Sequence, residues 1–130
     1  MESVREALVH LPSDVASLGE GRRFVARTLR DWKVDESRIE PVLLVANELV
    51  ANAIVHAQSA PVLSLAESSA GDLLLRVSDE SRALPVPQAP SVDDDGGRGL
   101  ILVQALSDRW GIDTDTDGKS VWVTFAGAFA

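Results

Sequence analysis

The segment from Ser37 to about Ala57 constrains the fold most, because it is predicted to be a helix with almost no solvent face. Ser37 and Glu40 have the three-residue spacing of a capping box, and Pro41 is tolerated within a first turn. Most of the following positions are apolar: Val42, Leu43, Leu44, Val45, Ala46, Leu49, Val50, Ala51, Ala53, Ile54 and Val55. Such a helix is largely buried.

Three polar residues on this helix stand four residues apart: Glu48, Asn52 and His56. At about 3.6 residues per turn, each step drifts by about 40°, so the three side chains form one stripe about 80° wide. The stripe is either the solvent side of the helix or one wall of a pocket. We favour the pocket, where Glu48 could be a general base and the Asn52 amide oxygen a hard ligand for Mg²⁺. His56 is better explained as a hydrogen-bonding residue at the helix end.

The rest of the chain is predicted to contain one more long helix, one short helix and five strands. Helical spacing of apolar residues predicts an amphipathic helix over 15–32, and a short helix is expected over 99–107. Strands are predicted at 4–11, 62–67, 72–78, 109–114 and 120–125. We therefore expect one α+β domain over 1–130, a two-layer sandwich whose mixed, mostly antiparallel sheet is covered on one face by about three helices.

Asp79 follows a predicted strand and enters a loop. An aspartate in such a place is commonly a turn former. A buried carboxylate there would instead accept a hydrogen bond from an exocyclic amine such as that of adenine. It would also disfavour a purine that offers a carbonyl at the same place.

A glycine-rich segment, Gly96-Gly97-Arg98-Gly99-Leu100, stands directly before the short helix. Glycine permits positive φ and close backbone approach, and a helix start presents unpaired amides to an anion. The candidate phosphate-binding residues are therefore Gly97, Arg98, Gly99 and Leu100. A plain connection between a loop and a helix is the alternative explanation of the same sequence. The segment matches neither the dinucleotide fingerprint nor the P-loop.

A second acidic pattern, Asp113, Asp115, Asp117 and Gly118, copies the opening of a calcium-binding EF-hand loop. The twelfth position of that loop would be Thr124, where an EF-hand needs a glutamate, and strands replace the flanking helices. We interpret the pattern as an acidic hairpin turn.

Charge and composition restrict the partners. The chain has 12 Lys and Arg against 20 Asp and Glu, a net charge of -8, which disfavours nucleic acid. The absence of cysteine excludes disulfides and thiolate metal sites. No apolar run approaches the roughly 18 residues of a membrane span, and the first residues lack signal-peptide features, so we expect a cytoplasmic protein with no membrane partner.

The order of these motifs resembles the Bergerat-fold (GHKL) ATPases, which include gyrase, histidine kinases and the heat-shock chaperone. The resemblance covers nearly the whole chain and rests mainly on Glu-Leu-Val-x-Asn-Ala-x-x-His-Ala, which begins at Glu48. Asp79, the glycines at 97 and 99, and Gly118-Lys119-Ser120-Val121 follow in the family's order. In size the chain is most similar to the stand-alone anti-sigma factor serine kinases.

This resemblance implies that ATP and Mg²⁺ are cofactors. It implies that Asn52 ligates the Mg²⁺ that bridges the phosphates, that Glu48 is the general base and that Asp79 reads the adenine amine. Backbone amides of the glycine segment would approach the phosphates, and Ser120 would lie near the adenine. The implied activity is a serine/threonine-protein kinase that phosphorylates an anti-sigma factor antagonist. A sigma factor and a second copy of the chain are further candidate partners.

Three features depart from the family pattern. Ser81 and Ala83 stand where the family usually has two glycines, and Lys119 stands where threonine is common. The lid between Leu84 and Gly97 is short and rich in proline. The missing glycines favour an alternative, a catalytically weak or inactive nucleotide-binding module that acts by protein association. For Lys119 itself, the sequence leaves two options: approach to phosphate, or exposure to solvent.

Overall fold

Five strands form one antiparallel sheet in the computed structural model, which describes residues 3–56, 58–80, 103–115 and 118–129. The strands are β1 (Ser3–His10), β2 (Val62–Ser68), β3 (Leu73–Asp79), β4 (Arg109–Asp115) and β5 (Gly118–Phe125). Their order in the sheet is β1-β2-β3-β5-β4. Each of these neighbouring pairs is antiparallel, in agreement with the expected mostly antiparallel sheet.

The helices form a second layer on one face of the sheet. They are α1 (Ser17–Asp31) and α2 (Glu36–Ala51), and α2 continues directly into a π turn (Asn52–His56). Residues 103–106 are also helical, within the short helix expected over 99–107, whose first four residues lie outside the described part. The helices α1 and α2 pack on each other, and α2 packs on β3. The predicted two-layer α+β fold is confirmed.

Alternation along the strands explains why one face of the sheet is buried against the helices. Residues of β2, β3 and β5 that are two apart point to the same side, and the set on the helix side is buried. This apolar face includes Leu63, Leu65, Leu73, Leu75, Val77, Val121, Val123 and Phe125. It meets the buried side of α1 and α2, which includes Val25, Leu29, Val42, Val45 and Leu49.

The start of α2 differs from the prediction. The helix begins at Glu36 after the N-cap residue Asp35, and no side chain caps it. The Ser37 hydroxyl donates to the Asp35 carboxylate and not to a backbone group, so the expected capping box does not form. Pro41 consequently lies beyond the first turn of the helix.

The β4–β5 hairpin closes between Asp115 and Gly118, which are register partners. This pairing confirms the hairpin interpretation of the acidic pattern. No helix in the described ranges is long and apolar enough to cross a membrane.

Candidate functional site

Ser59 connects the end of the helix to the end of β3. Its backbone N–H donates to the carbonyl oxygen of Ala53 in the π turn at 3.0 Å. Its hydroxyl oxygen accepts the backbone N–H of Glu80, the residue after Asp79, at 3.2 Å. The two bonds place the π turn, which begins at Asn52, at the same end of the molecule as Asp79.

Glu48 and Asn52 lie one turn apart, and both side chains are partly exposed. They lie away from the apolar side of α2, where Val45 and Leu49 are buried in the core. The backbone N–H of Asn52 donates to the carbonyl oxygens of Glu48 and Leu49, where the helix widens into the π turn. Short π segments inside helices occur frequently at functional sites. The side chain of His56, the third member of the stripe, lies outside the described part of the structure.

Asp79 pairs with Lys119 in the antiparallel register of β3 and β5. The Lys119 Nζ lies 3.5 Å from the Asp79 Oδ1, and the two side chains are only 6% and 3% exposed. Strand alternation places them on the helix-facing side, the same side as Val77 and Val121. The alternative that Lys119 is simply exposed is therefore wrong.

Gly118 fixes this arrangement at the start of β5. Its φ is +148°, and a Cβ there would overlap the main-chain carbonyl of Asp79 and lie 2.8 Å from the Glu80 Cα. Only glycine fits, because both the backbone angle and the space exclude a side chain. The close approach holds the beginning of β5 against the end of β3, so Lys119 stands directly beside Asp79.

Ser120 lies on the opposite face of the sheet from Asp79. Its hydroxyl accepts a hydrogen bond from the Arg76 Nη1 at 2.8 Å, and the same guanidinium pairs with Asp113 at 3.3 Å. The Ser120 hydroxyl and the Asp79 carboxylate face opposite sides of the sheet, because neighbouring residues of one strand alternate between its faces. That Ser120 lies near the adenine stays a prediction. Lys119 is the residue of this segment that stands beside Asp79.

A cavity of about 420 Å³ opens at this end of the sheet. Its lining is formed by His10, Ala60, Val62, Ser78, Asp79, Glu80, Gly118, Lys119 and Ser120. Val62, Ser78 and Ser120 are register neighbours on the face opposite the Asp79–Lys119 pair. The lining therefore combines residues of that face with the Asp79–Lys119 pair, so the cavity adjoins the predicted base site.

The remaining predicted site residues lie outside the described residues. They are Gly97, Arg98, Gly99 and Leu100, and the two residues that replace the family's glycines, Ser81 and Ala83, also lie outside the described part. Within the described ranges, no group of three or more His, Asp or Glu side chains could hold a metal ion by itself.

Residues 11–125 match the histidine kinase-like ATPase domain family, and the chain belongs to that family. The fold is similar to the RsbU and RsbW domains of Rv1364c from Mycobacterium tuberculosis, with a TM-score of 0.74, 18% identity and 94% of this chain covered. It is also similar to the blue-light activated histidine kinase EL346 of Erythrobacter litoralis, with a TM-score of 0.59, 22% identity and 73% of this chain covered.

This chain spans 32% of each of those two longer chains. At these identities the likenesses show the fold alone. No curated protein matches the sequence. Family and fold together confirm the resemblance to the GHKL ATPases.

Proposed function

We propose that this chain binds Mg-ATP and is a cytoplasmic serine/threonine-protein kinase that regulates an anti-sigma factor antagonist by phosphorylating it. The observation that carries the proposal is the Ser59 bridge, which brings the Asn52 end of the helix to the Asp79 end of β3. In a chain of the histidine kinase-like ATPase family, these are the two ends that a purine nucleotide would join.

Asp79 would hold the base. Its carboxylate is almost fully buried on the helix side of the sheet, and a buried acceptor binds an amine donor far better than a carbonyl. Such a contact would orient the nucleotide so that its phosphates extend away from β3.

Asn52 would hold the metal. Because the described residues offer no carboxylate or histidine cluster for a resident ion, Mg²⁺ would arrive with the nucleotide and be held by the Asn52 amide oxygen and phosphate oxygens. Magnesium is commonly bound in this way, through one or two protein oxygens plus substrate phosphates. When bound, the ion neutralises the charge that develops on the phosphates.

Glu48 would act as the general base. It lies one turn before Asn52 and is partly exposed, so it can face the hydroxyl of a protein substrate. The Ser or Thr oxygen of the partner attacks the γ-phosphorus, its proton passes to the Glu48 carboxylate, and the bond to the β–γ bridging oxygen breaks to release ADP.

Phosphate transfer from labelled ATP to candidate antagonist proteins tests this role. We expect Glu48→Gln to abolish transfer while retaining ATP binding, because the amide keeps the shape and loses the base. Glu40→Gln is the matched control, since Glu40 is an exposed glutamate on the same helix, and it should transfer at the rate of the unmodified chain. Transfer that survives Glu48→Gln would contradict the assignment.

The partners in this proposal come from the resemblance of the sequence motifs, because the likeness to the RsbU and RsbW domains shows the fold alone. The sigma factor and a second copy of this chain remain candidate partners within it.

A second candidate is a module that associates with partners without phosphorylating them. The burial of Lys119 against Asp79 favours it, because an ammonium ion already occupies the neighbourhood of the base-reading carboxylate. Partner binding that is equal in the unmodified chain and in Glu48→Gln, with no transfer by either, would identify this second function.

A further inference from the structure

The Asp79–Lys119 pair places an obligate acceptor and an obligate donor side by side. An ionised carboxylate only accepts hydrogen bonds, and an ammonium group only donates them. Both side chains are nearly excluded from solvent and face the helix layer. Charges in such a place interact strongly with any polar group that enters beside them.

The position of the ammonium group is set by the backbone. Lys119 is the direct register partner of Asp79. Because Gly118 has no side chain, the two strands can approach so closely that a Cβ there would overlap the Asp79 carbonyl. Ser120, the neighbour of Lys119, points to the other face, towards Arg76. Lys119 is therefore the cation that a base held by Asp79 would meet.

The two purines present opposite patterns to this pair. Adenine offers an amine donor next to a ring-nitrogen acceptor, whereas guanine offers a carbonyl acceptor next to a ring N–H donor. A lone carboxylate accepts the adenine amine and repels the guanine carbonyl. With an ammonium group beside the carboxylate, the adenine edge and the guanine edge each find both a donor and an acceptor.

We propose that Lys119 determines base specificity, and that it makes the site tolerant of both adenine and guanine nucleoside triphosphates. This inference rests on the proposed nucleotide-binding function. Adenine would donate its amine to Asp79 and accept from Lys119 at the ring nitrogen. Guanine would accept from Lys119 at its carbonyl and donate its ring N–H to Asp79.

Isothermal titration of the full chain with the magnesium complexes of ATP, GTP and ITP tests the inference. ITP carries the guanine carbonyl and ring N–H but lacks the second amine, so it isolates the edge that Lys119 would read. We expect the three dissociation constants of the unmodified chain to lie within about tenfold of one another. In Lys119→Met, which keeps the length and removes the donors, GTP and ITP should weaken by about 100-fold relative to ATP.

Two further variants control for charge and fold. Lys119→Arg keeps a cationic donor and should retain the tolerance. Arg76→Met removes a cation from the opposite face of the neighbouring strand and should leave the ratios unchanged.

The outcomes separate the two proposals. If the unmodified chain binds ATP but rejects GTP and ITP by more than about 100-fold, the inference is wrong and the proposed function stands. This comparison needs no variant, so it holds even if Lys119→Met fails to fold. Equal ratios in the unmodified chain and a folded Lys119→Met would also overturn the inference. If the unmodified chain binds none of the three nucleotides, both proposals fall.

Discussion

Gly118 approaches the main-chain carbonyl of Asp79 so closely that no residue with a Cβ fits in its place. The φ of Gly118 is +148°, a region that residues with side chains rarely adopt. The close contact joins the beginning of β5 to the end of β3. It thereby positions the two charged residues at these strand ends, Asp79 in β3 and Lys119 in β5.

We predict that Gly118→Ala lowers the free energy of unfolding by about 2 kcal/mol or more, because backbone strain and overlap add. Gly71→Ala is the control. Gly71 also has a positive φ, +85°, but nothing lies within 4 Å of its Cβ position, so only strain of about 1 kcal/mol applies. Urea denaturation measures both. Equal losses in the two variants would show that the close approach to Asp79 is absent.

Asp79→Asn tests the buried ion pair. The substitution takes the Asp79 charge away from the buried Lys119 ammonium, and we expect a loss of about 3–5 kcal/mol in the free energy of unfolding. Asp113→Asn breaks the pair with Arg76 on the open face, where the Asp113 side chain is 64% exposed, and should cost less than about 1 kcal/mol.

A double variant, Asp79→Asn with Lys119→Met, refines this test. It should unfold less easily than Asp79→Asn alone, because the buried ammonium is removed together with the carboxylate that neutralises it. Additive losses from the two single variants would mean that the two side chains do not interact.

Much of the fold was predictable from the sequence, because it depends on apolar periodicity. The alternating segments appear as β2 and β3, and the apolar run after Glu40 appears as α2. The helix boundaries were less predictable where a local side-chain hydrogen bond competes with the expected cap. Ser37 donates to the Asp35 carboxylate in preference to a backbone cap, a choice that spacing alone does not reveal.

The candidate site was predictable only in part. The Asp79 side chain is buried at a strand end, as expected for a carboxylate that binds a base, but the sequence did not show that the Ser120 hydroxyl faces the opposite side of the sheet. Which face a residue occupies depends on register, and a shift of one residue reverses every side chain. Lys119 could have been found from its position directly after the Asp117-Gly118 turn. Pairing β5 with β3 from that turn makes Lys119 the register partner of Asp79. The π turn at Asn52 has no comparable signal in the sequence.

Asn52→Ala should remove the magnesium dependence of ATP binding. The variant loses the amide oxygen that would ligate the ion, so we expect its ATP affinity to be the same with magnesium and with EDTA. Asn47→Ala is the control, because Asn47 is a partly exposed asparagine on the same helix, and its affinity should fall when magnesium is removed. Isothermal titration under both conditions makes the comparison. A persistent magnesium effect in Asn52→Ala would exclude this residue as the ligand.

The exposed pair between α1 and the start of α2 gives a prediction for pH. The hydrogen bond from Arg30, 2.6 Å at its shortest, lowers the pKa of Glu36 below its ordinary 4.5. Because the folded-state pKa is the lower one, the pair stabilises the fold above about pH 4.5, and this contribution is lost as the pH falls through the folded value. The effect on unfolding is small and sensitive to salt, since both side chains are exposed.

Carboxyl resonances followed by NMR report this pKa directly. Arg30→Gln should raise the titration midpoint of Glu36 back to about 4.5. Arg27→Gln, an exposed arginine on the same helix, should leave the midpoint unchanged. An unchanged midpoint in Arg30→Gln would mean that the pair does not form in solution.

The central claim is that the Asn52 end of the helix and the Asp79 end of β3 together bind a nucleotide. Isothermal titration of the full chain with ATP, with and without magnesium, tests it most directly. We expect saturable binding at one site that is stronger with magnesium and retained in Glu48→Gln. An absence of any saturable heat with ATP and magnesium, in a chain shown to be folded, would contradict the claim.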